Sequence, residues 1–434
     1  MLKLGFHYFS MKFIADLHIH GRYSQATSKD ISILNLEKWA RVKGVGLLGT
    51  GDFTHPKWIE ELKAHLKEDG TGILRTASGF PFMLQTEISN IYSQDGKGRR
   101  VHNVVLAPDF DAVSKITEWL LTRGRVDYDG RPIFGIPCPE FVESLKGLDE
   151  RIEVIPAHVW TPWFSVFGSK SGFDSVEECY KDQAKHIFAL ETGLSSDPPM
   201  NWRLSQLDRY TLVSNSDCHS YWPWRLGREA NMFELPEVTY GSIIGALKGR
   251  KGFLGTIEVD PSYGKYHLDG HRNCGVCQEP RKSAESRGMC PVCGKALTIG
   301  VLNRVEELAD RPEGYTPKDP ASYRSLIPLS DILTKVMKIA SPASKKVWEA
   351  YYRLIEGFGS EFSVMLDAPR ESISDMSSQK VADAIMMVRE GRLKVQPGYD
   401  GVYGVPLFDG RKPAAPRPVE RARETKKQKN LSDF

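Results

Sequence analysis

From Lys12 to Val259, short apolar runs of β-type residues alternate with amphipathic segments. The runs that predict strands are KFIADLHIH, VGLLGTGDF, FPFMLQTEIS, RVHNVVLAPD, IEVIPAHVW, HIFALETG and TLVSNSDCH. The segments that predict amphipathic helices are 31–42, 56–67, 111–121 and 240–248. Because strands that alternate with helices form parallel sheets, the pattern predicts an α/β fold whose sheet is either open or closed into a barrel.

Histidines and carboxylates stand in these runs, mostly at their ends. In DLHIH, the residues Asp16, His18 and His20 lie two positions apart and share one face of a strand. The other positions are Asp52, Glu87, His102, His158, Glu191, Asp217 and His219. His102 alone comes early in its run. Because side chains at the carboxyl ends of barrel strands converge, we expect these residues to form one site.

The residue types favour a site with more than one metal ion. Imidazole and carboxylate groups suit zinc, manganese or iron, and a carboxylate such as Glu87 can bridge two ions. Two ions about 3.5–4 Å apart can activate a water molecule and stabilise a leaving oxygen. The pattern therefore predicts hydrolysis of a phosphate ester.

Composition places the chain among ordinary globular proteins. The 434 residues are 41% hydrophobic and 26% charged, and this length predicts about two to four domains. The opening MLKLGFHYFS is too short and polar for a secretory signal, and no apolar run is long enough to span a membrane. We expect a cytoplasmic monomer that starts at Met1 or Met11.

The formal charge of +3 is unevenly distributed. The segment 411–429 has eight basic and two acidic residues, so the rest of the chain carries a net charge of −3. A nucleic-acid ligand would therefore meet local patches, such as GKGRR with Arg99 and Arg100, together with bound metal. Each patch taken alone is more simply interpreted as a solvated loop.

Four of the seven cysteines form two closely spaced pairs. They are Cys274, Cys277, Cys290 and Cys293, in the pattern CxxC-x12-CxxC. Two such pairs place four thiolates around one zinc ion, which predicts a structural zinc ribbon. Two disulfides would suit a small secreted domain instead. The remaining cysteines, 138, 179 and 218, are expected to be buried.

Two aromatic clusters follow the candidate ligands His158 and His219. In loops at strand ends, such side chains either stack on nucleic-acid bases or cover the barrel mouth as packing. We expect about half of them to do the latter. The predicted DNA contacts are Trp160, Trp163, Phe164, Trp222, Trp224, Arg225, Arg99 and Arg100.

The last third of the chain predicts helices and a basic tail. Helical patterns cover 344–358 and 379–390, and no GxxxxGK[ST] loop is present that would indicate nucleotide hydrolysis. The segment RKPAAPRPVERARETKKQK is typical of a disordered tether. The chain ends in QKNLSDF, where Gln428, Leu431 and Phe434 resemble the peptide that docks on the sliding clamp PCNA.

The ordered motifs DLHIH, GTGDF, TEIS, HNVV, PAH and SDCH resemble the PHP (polymerase and histidinol phosphatase) superfamily, whose fold is a distorted (β/α)7 barrel. The resemblance implies one ion held by His18, His20, Glu87 and Asp217 and a second held by Glu87, His102 and His158. It leaves His219 and Asp52 as candidate ligands of a third ion.

The chain departs from the superfamily pattern near this third ion. Many members have a further His or Asp where this chain has Gln25 and Ala26, and an Asp-His dipeptide where it has Asp52 and Phe53. His55 is either a substitute ligand or an exposed turn residue.

The whole chain resembles the endonuclease Q family more closely still. The resemblance implies a PHP domain at 11–262, a zinc ribbon at 263–299, a mainly helical DNA-contacting region at 300–405 and a clamp-binding tail at 406–434. It also implies cleavage of DNA 5′ to deoxyinosine, deoxyuridine and abasic sites, leaving a 3′-hydroxyl and a 5′-phosphate.

Together these observations predict a metal-dependent DNA repair endonuclease. Glu87 and Asp217 are the expected catalytic carboxylates, and Asp16, with Glu191 as a further candidate, is expected to orient a ligand histidine. The expected ions are zinc in the ribbon and Zn²⁺, Mn²⁺ or Mg²⁺ at the catalytic centre. The alternatives are a small-molecule phosphatase of the histidinol-phosphate type and a binding module with a vestigial metal site.

Overall fold

The structure is a computed structural model that describes residues 10–408. The basic segment 411–429 and the predicted clamp-binding peptide with Gln428, Leu431 and Phe434 lie outside the described residues. Among residues 10–408, no helix is both long and apolar enough to cross a bilayer.

Twelve strands and seven α-helices build residues 10–258. The strands are β1 (Met11–Asp16), β2 (Leu47–Gly49), β3 (Lys67–Glu68), β4 (Leu74–Arg75), β5 (Pro81–Gln94), β6 (Lys97–Ala107), β7 (Ile133–Phe134), β8 (Glu153–Pro156), β9 (Ala189–Glu191), β10 (Thr211–Val213), β11 (Ala230–Leu235) and β12 (Phe253–Glu258). The helices are α1 (Ile33–Lys43), α2 (Pro56–His65), α3 (Phe110–Leu121), α4 (Cys138–Leu148), α5 (Val176–Tyr180), α6 (Pro198–Trp202) and α7 (Tyr240–Gly249). All four predicted helical segments are therefore confirmed to within two residues.

Seven strands form a distorted barrel in the order β1, β2, β5, β6, β8, β9, β10. Hydrogen-bonded ladders join β1 through β5, β6 and β8, and a separate ladder joins β9 to β10. Backbone contacts at the rim close the ring: Val159 N–H donates to Glu191 O (2.9 Å), and Ile19 pairs with Cys218. The barrel interior contains one apolar cluster with side chains from all seven strands, including Ala15, Leu47, Met83, Val104, Ile155, Ala189 and Val213.

The barrel sheet is mixed, whereas the sequence pattern predicted parallel strands. β6 runs antiparallel to both β5 and β8. The cause is the two-residue turn at Asp95 and Gly96, both with positive φ, which joins β5 to β6 directly without a crossover helix. Because β6 runs the opposite way, His102 reaches the same rim although it comes early in the run RVHNVVLAPD.

A small hairpin and a short helix form the cysteine-containing region. They are β13 (Asp269–His271), β14 (Val276–Gln278) and α8 (Pro280–Glu285). The two strands pair antiparallel, and Gly275 (φ 65°) makes the turn between them.

The C-terminal region is mainly helical, as predicted. Its elements are α9 (Val301–Leu308), β15 (Ser322–Ser325), α10 (Leu329–Val336), α11 (Lys345–Phe358), α12 (Arg370–Met376), α13 (Gln379–Arg389), β16 (Lys394–Gln396) and β17 (Val405–Leu407). The predicted helices at 344–358 and 379–390 correspond to α11 and α13. β15 pairs parallel with β12, so this region adds a strand to the sheet of the barrel.

A buried ion pair joins the barrel to the helical region. Lys43 Nζ, at the end of α1, lies 2.6 Å from Glu361 Oε1 and donates to Pro223 O (2.8 Å). The Tyr351 hydroxyl and the Leu329 N–H also donate to Glu361. Because both charged groups are nearly inaccessible to solvent, this joint fixes how α1 and α11 pack.

Candidate metal centre

The structure brings six histidines and carboxylates from five barrel segments to one rim. They form two groups that share Glu87, and within each group the ligand-capable atoms all lie within 4.8 Å of one another. The groups are His18, His20, Glu87 and Asp217, and Glu87, His102 and His158. These are the two ligand sets that the superfamily resemblance implied.

The first group surrounds the Oε2 atom of Glu87. His20 Nε2 lies 3.3 Å from Glu87 Oε2 and 3.0 Å from Asp217 Oδ1. His18 Nε2 lies 3.7 Å from Glu87 Oε2, and this buried nitrogen has no hydrogen-bond partner. An unpaired buried nitrogen that faces two carboxylates is what a divalent ion would satisfy.

The second group uses the other oxygen of Glu87. Glu87 Oε1 lies 2.8 Å from His102 Nδ1 and 3.1 Å from His158 Nε2. Burial lowers the pKa of His102 to about 4, so its ring is neutral at physiological pH, the form that binds metal. Glu87 thus has one oxygen in each group, as expected of a carboxylate that bridges two ions.

Ionised carboxylates complete the donor set. Burial opposes the ionisation of Glu87, but its interactions with the His102 ring and with the guanidinium of Arg131 outweigh burial and hold the pKa of Glu87 well below its usual range. Burial likewise opposes ionisation of Asp217, whose pKa is held well below its usual range by a hydrogen bond from His20. Imidazole nitrogens together with ionised carboxylates fit zinc or manganese.

Two further carboxylates contact the Nδ1 atoms of His18 and His20, on the side of each ring away from the ligand group. His18 Nδ1 lies 3.0 Å from Glu191, which also accepts the N–H of His158 (2.8 Å). His20 Nδ1 lies 2.9 Å from Asp52 Oδ1. A carboxylate on one ring nitrogen fixes the tautomer that points the other nitrogen at a metal. The expectation that Glu191 contacts a ligand histidine therefore agrees with the structure.

Two expected roles require correction. Asp52, a candidate ligand of a third ion, contacts His20 with one oxygen and Gly21 N–H (2.6 Å) with the other. Asp16 was expected to orient a ligand histidine, but it accepts hydrogen bonds from the N–H and hydroxyl of Ser216 and from Gly227 N–H. Asp16 therefore fixes the loop that carries Asp217.

At the barrel rim, the described residues 10–408 form no third ligand group. His219 lies over the ring of His20, with centroids 4.5 Å apart, and belongs to neither group. His55 is neither a ligand nor an exposed turn residue: it is buried and stacks on Tyr23, with centroids 4.5 Å apart.

The predicted DNA contacts fall into buried and accessible residues. Trp160 is buried and donates its indole N–H to Asn201, and Arg99 is buried over the ring of Phe173. Both expectations are wrong, because these side chains are part of the packing. The ring of Phe164 lies 4.6 Å from that of His102. Trp222 and Trp224 stack on each other, and both contact Trp348 at tilted angles. Exposed positions are Trp163, Arg100 and Arg225.

Sequence reasoning missed Arg131. Its Nη1 atom lies 3.1 Å from Glu87 Oε2, inside the first ligand group. Nothing in the spacing of DYDGRP indicated this, because Arg131 lies 44 positions from Glu87 and reaches it only through the fold.

The cysteine-containing region gathers a different set from the one predicted. Its ligand-capable residues are His271, Cys274, Cys290 and Cys293. Cys277 pairs with Gly270 in the hairpin, next to the pair formed by His271 and Val276. Because successive strand residues point to opposite faces, Cys277 faces away from His271. One imidazole and three thiolates also fit a tetrahedral zinc site.

Comparison with known proteins gives matches along most of the chain. Residues 328–392 match the family model of the MJ0043 C-terminal domain. The uncharacterized protein MJ0043 of Methanocaldococcus jannaschii is 33% identical over 300 residues, which are 67% of this chain but 35% of that relative. The chain thus spans about a third of MJ0043. The uncharacterized protein YqxK of Bacillus subtilis is 30% identical over 91% of this chain and 98% of its own length.

Two solved structures match more than nine tenths of the chain. The lesion-specific endonuclease PfuEndoQ from Pyrococcus furiosus superposes with a TM-score of 0.83 and 34% identity over 93% of this chain and 98% of its own. Endonuclease Q in complex with a 27-mer duplex that carries an abasic lesion at the active site gives a TM-score of 0.82 and 35% identity, over 91% and 96% of the two chains.

The fold, its paired ligand groups and these matches define a metal-dependent DNA endonuclease. More specifically, the chain belongs to the endonuclease Q family.

Proposed function

We propose that this protein is a DNA repair endonuclease that hydrolyses the phosphodiester 5′ to deoxyinosine, deoxyuridine and abasic sites. The products are a 3′-hydroxyl and a 5′-phosphate. The observation that carries the proposal is the position of Glu87, which presents one oxygen to each of two ligand groups at the barrel rim. The match to an endonuclease Q bound to abasic duplex DNA supports the substrate class.

Six residues are the proposed ligands, with His18, His20, Asp217 and Glu87 on one side and His102 and His158 on the other. Two divalent ions held there, Zn²⁺ or Mn²⁺/Mg²⁺, would supply an activated water and stabilise the leaving 3′-oxygen. Glu191 and Asp52 fix the imidazole tautomers that this binding requires. Asp217, whose side chain is 31% exposed, is the ligand carboxylate that faces the approaching substrate.

Exposed side chains near this rim are the proposed DNA contacts. Arg100 lies over the ring of Phe164, which itself packs on His102, so its guanidinium is close to the second ligand group. Trp163 and Arg225 follow the ligand-bearing segments of the barrel and are also exposed. An aromatic side chain with flanking arginines suits a single-stranded or flipped nucleotide.

The domain organisation that we propose is a barrel at 11–262, a zinc ribbon at 263–299 and a DNA-contacting region at 300–405. The tail from 406, with Gln428, Leu431 and Phe434, is proposed to dock on the sliding clamp PCNA. This part of the proposal depends on the sequence alone. Deleting 428–434 should abolish clamp binding and leave intrinsic nicking unchanged.

A nicking assay tests the function directly. Duplexes with one abasic site, deoxyinosine, deoxyuridine or no lesion are incubated with the metal-free protein and added Zn²⁺, Mn²⁺ or Mg²⁺. We expect one nick 5′ to each lesion, and none in undamaged DNA. A phosphomonoester run in parallel tests the phosphatase alternative, and turnover of that substrate without any nicking would contradict the proposal.

Variants of the ligand set link the activity to the site. His102→Ala removes one donor of the second group and should abolish nicking. His65→Ala is the matched control, because His65 is exposed at the end of α2 and should leave nicking unchanged.

A further inference from the structure

One tight turn carries Arg131 into the metal centre. Asp129 is buried and accepts hydrogen bonds from the backbone N–H groups of Arg131 (3.1 Å) and Gln25 (3.2 Å). A Cβ atom at Gly130 would overlap the carboxylate of Asp52. Backbone contacts therefore hold this turn against the segment after β1, and the position of residue 131 does not depend on its own side chain.

The guanidinium of Arg131 lies between the ligands and the solvent. Its Nη1 atom is 3.1 Å from Glu87 Oε2, the oxygen that also faces His20. The side chain of Arg131 is 26% exposed, whereas that of Glu87 is fully buried. Of the lysines and arginines at positions 10–408, Arg131 alone forms an ion pair with a member of either ligand group.

The net charge of the metal centre requires a further positive group such as the Arg131 guanidinium. Four carboxylates contact the ligand histidines: Glu87, Asp217, Asp52 and Glu191. Two divalent ions would offset these four charges and leave no excess positive charge to attract a phosphodiester. The phosphodiester carries one negative charge and gains a second as the nucleophile adds to phosphorus. Arg131 supplies the missing positive charge at a fixed position.

We propose that Arg131 is a catalytic residue that donates hydrogen bonds to a non-bridging oxygen of the scissile phosphate. A guanidinium presents its N–H groups in a planar fork that matches phosphate oxygens, and it stays protonated throughout the reaction. The inference rests on the proposed phosphodiester cleavage. It assigns to Arg131 the stabilisation of charge that grows between the ground state and the transition state.

The test compares Arg131→Ala and Arg131→Lys with wild type on an abasic duplex. Loss of one such donor in a preorganised site lowers kcat by about 100-fold, and we expect this for Arg131→Ala with a KM close to that of wild type. Metal content should stay at the wild-type level, because all six ligands remain. Added guanidinium ion should restore part of the activity of Arg131→Ala. Backbone contacts hold the turn at residue 131, so the space left by the missing side chain should keep its shape.

Phosphorothioate substrates separate a catalytic role from a structural one. Sulfur in place of the contacted non-bridging oxygen should slow wild type and leave Arg131→Ala almost unaffected, because the contact is already lost. Arg125→Ala is the matched control: Arg125 precedes the same turn, is exposed and pairs with Asp127, so its loss should change nothing.

Two results would overturn the inference while leaving the proposed function intact. One is wild-type nicking by Arg131→Ala. The other is a loss of bound metal in both variants that accounts for their loss of activity, which would make Arg131 a structural partner of Glu87. Failure of wild type itself to nick the lesion duplex would overturn the proposed function, and this inference with it.

Discussion

The Nδ1 atom of His18 lies 3.0 Å from each carboxylate oxygen of Glu191. The same carboxylate accepts the backbone N–H of His158, so one buried side chain holds residues from both ligand groups. Asn215 also donates to Glu191 (2.9 Å). Glu191 therefore determines the orientation of the metal-facing nitrogen of His18 without contacting the metal position itself.

Replacing this carboxylate should weaken metal binding at the barrel rim. In Glu191→Gln the shape is kept but the negative charge that supports the His18 tautomer is lost, which should lower metal affinity by about 10–100-fold. Titration of metal-free protein against a competing chelator measures the affinity. Glu153→Gln is the control, since Glu153 is buried at the other end of the barrel, where it pairs with Lys146 and Lys248. An unchanged affinity in Glu191→Gln would remove Glu191 from the centre.

The ribbon prediction distinguishes two ligand sets. The structure gathers His271 with Cys274, Cys290 and Cys293, whereas the cysteine spacing predicted Cys277 as the fourth ligand. His271→Ala should therefore release the ribbon zinc more readily than Cys277→Ser does. Zinc retained per chain during dialysis against a chelator measures this. Loss of zinc in Cys277→Ser, with full retention in His271→Ala, would favour the four-cysteine set.

Removing only the lysine of the buried Lys43–Glu361 ion pair, which joins α1 to α11, should strongly lower the stability of the protein. Lys43→Met leaves the Glu361 carboxylate buried without its cation, and we expect the free energy of unfolding to fall by about 3–5 kcal/mol. Urea denaturation followed by tryptophan fluorescence measures the change. Arg370→Ala breaks the exposed pair with Asp383 and should cost less than about 1 kcal/mol. Equal costs for the two variants would show that the buried pair has no special role.

Glu258 should make the stability depend on pH. Burial raises the pKa of this carboxyl from 4.5 to about 8, so the folded state keeps a proton that the unfolded chain loses. The stability that this proton contributes is complete below pH 4.5 and declines as the pH rises towards 8, by about 1.4 kcal/mol per pH unit. Glu258→Gln should flatten this decline, as shown by urea titrations at pH 5, 6.5 and 8. Glu234→Gln, on the partly exposed strand β11, should keep the wild-type slope.

Much of the fold and part of the centre could be predicted from local patterns. The helices α1, α2, α3, α7, α11 and α13 lie where amphipathic spacing placed them. The DLHIH motif predicted that His18 and His20 share one side, and both enter the first ligand group although β1 ends at Asp16. Helical periodicity and the two-residue spacing of side chains depend only on neighbouring residues, so both can be predicted without the tertiary structure.

The sequence by itself determined which residue types stand at the ends of the strands. It therefore predicted a metal centre made of histidines and carboxylates. The tertiary structure decided which of them meet as ligands and which hold ligands from behind. Asp16 contacts Ser216 across 200 positions, Glu191 contacts His18 across 173, and Arg131 reaches Glu87 from a turn outside every strand motif. A carboxylate has the same chemistry in all these places, and only the closing of the barrel decides whether it faces a metal, an imidazole or a backbone N–H.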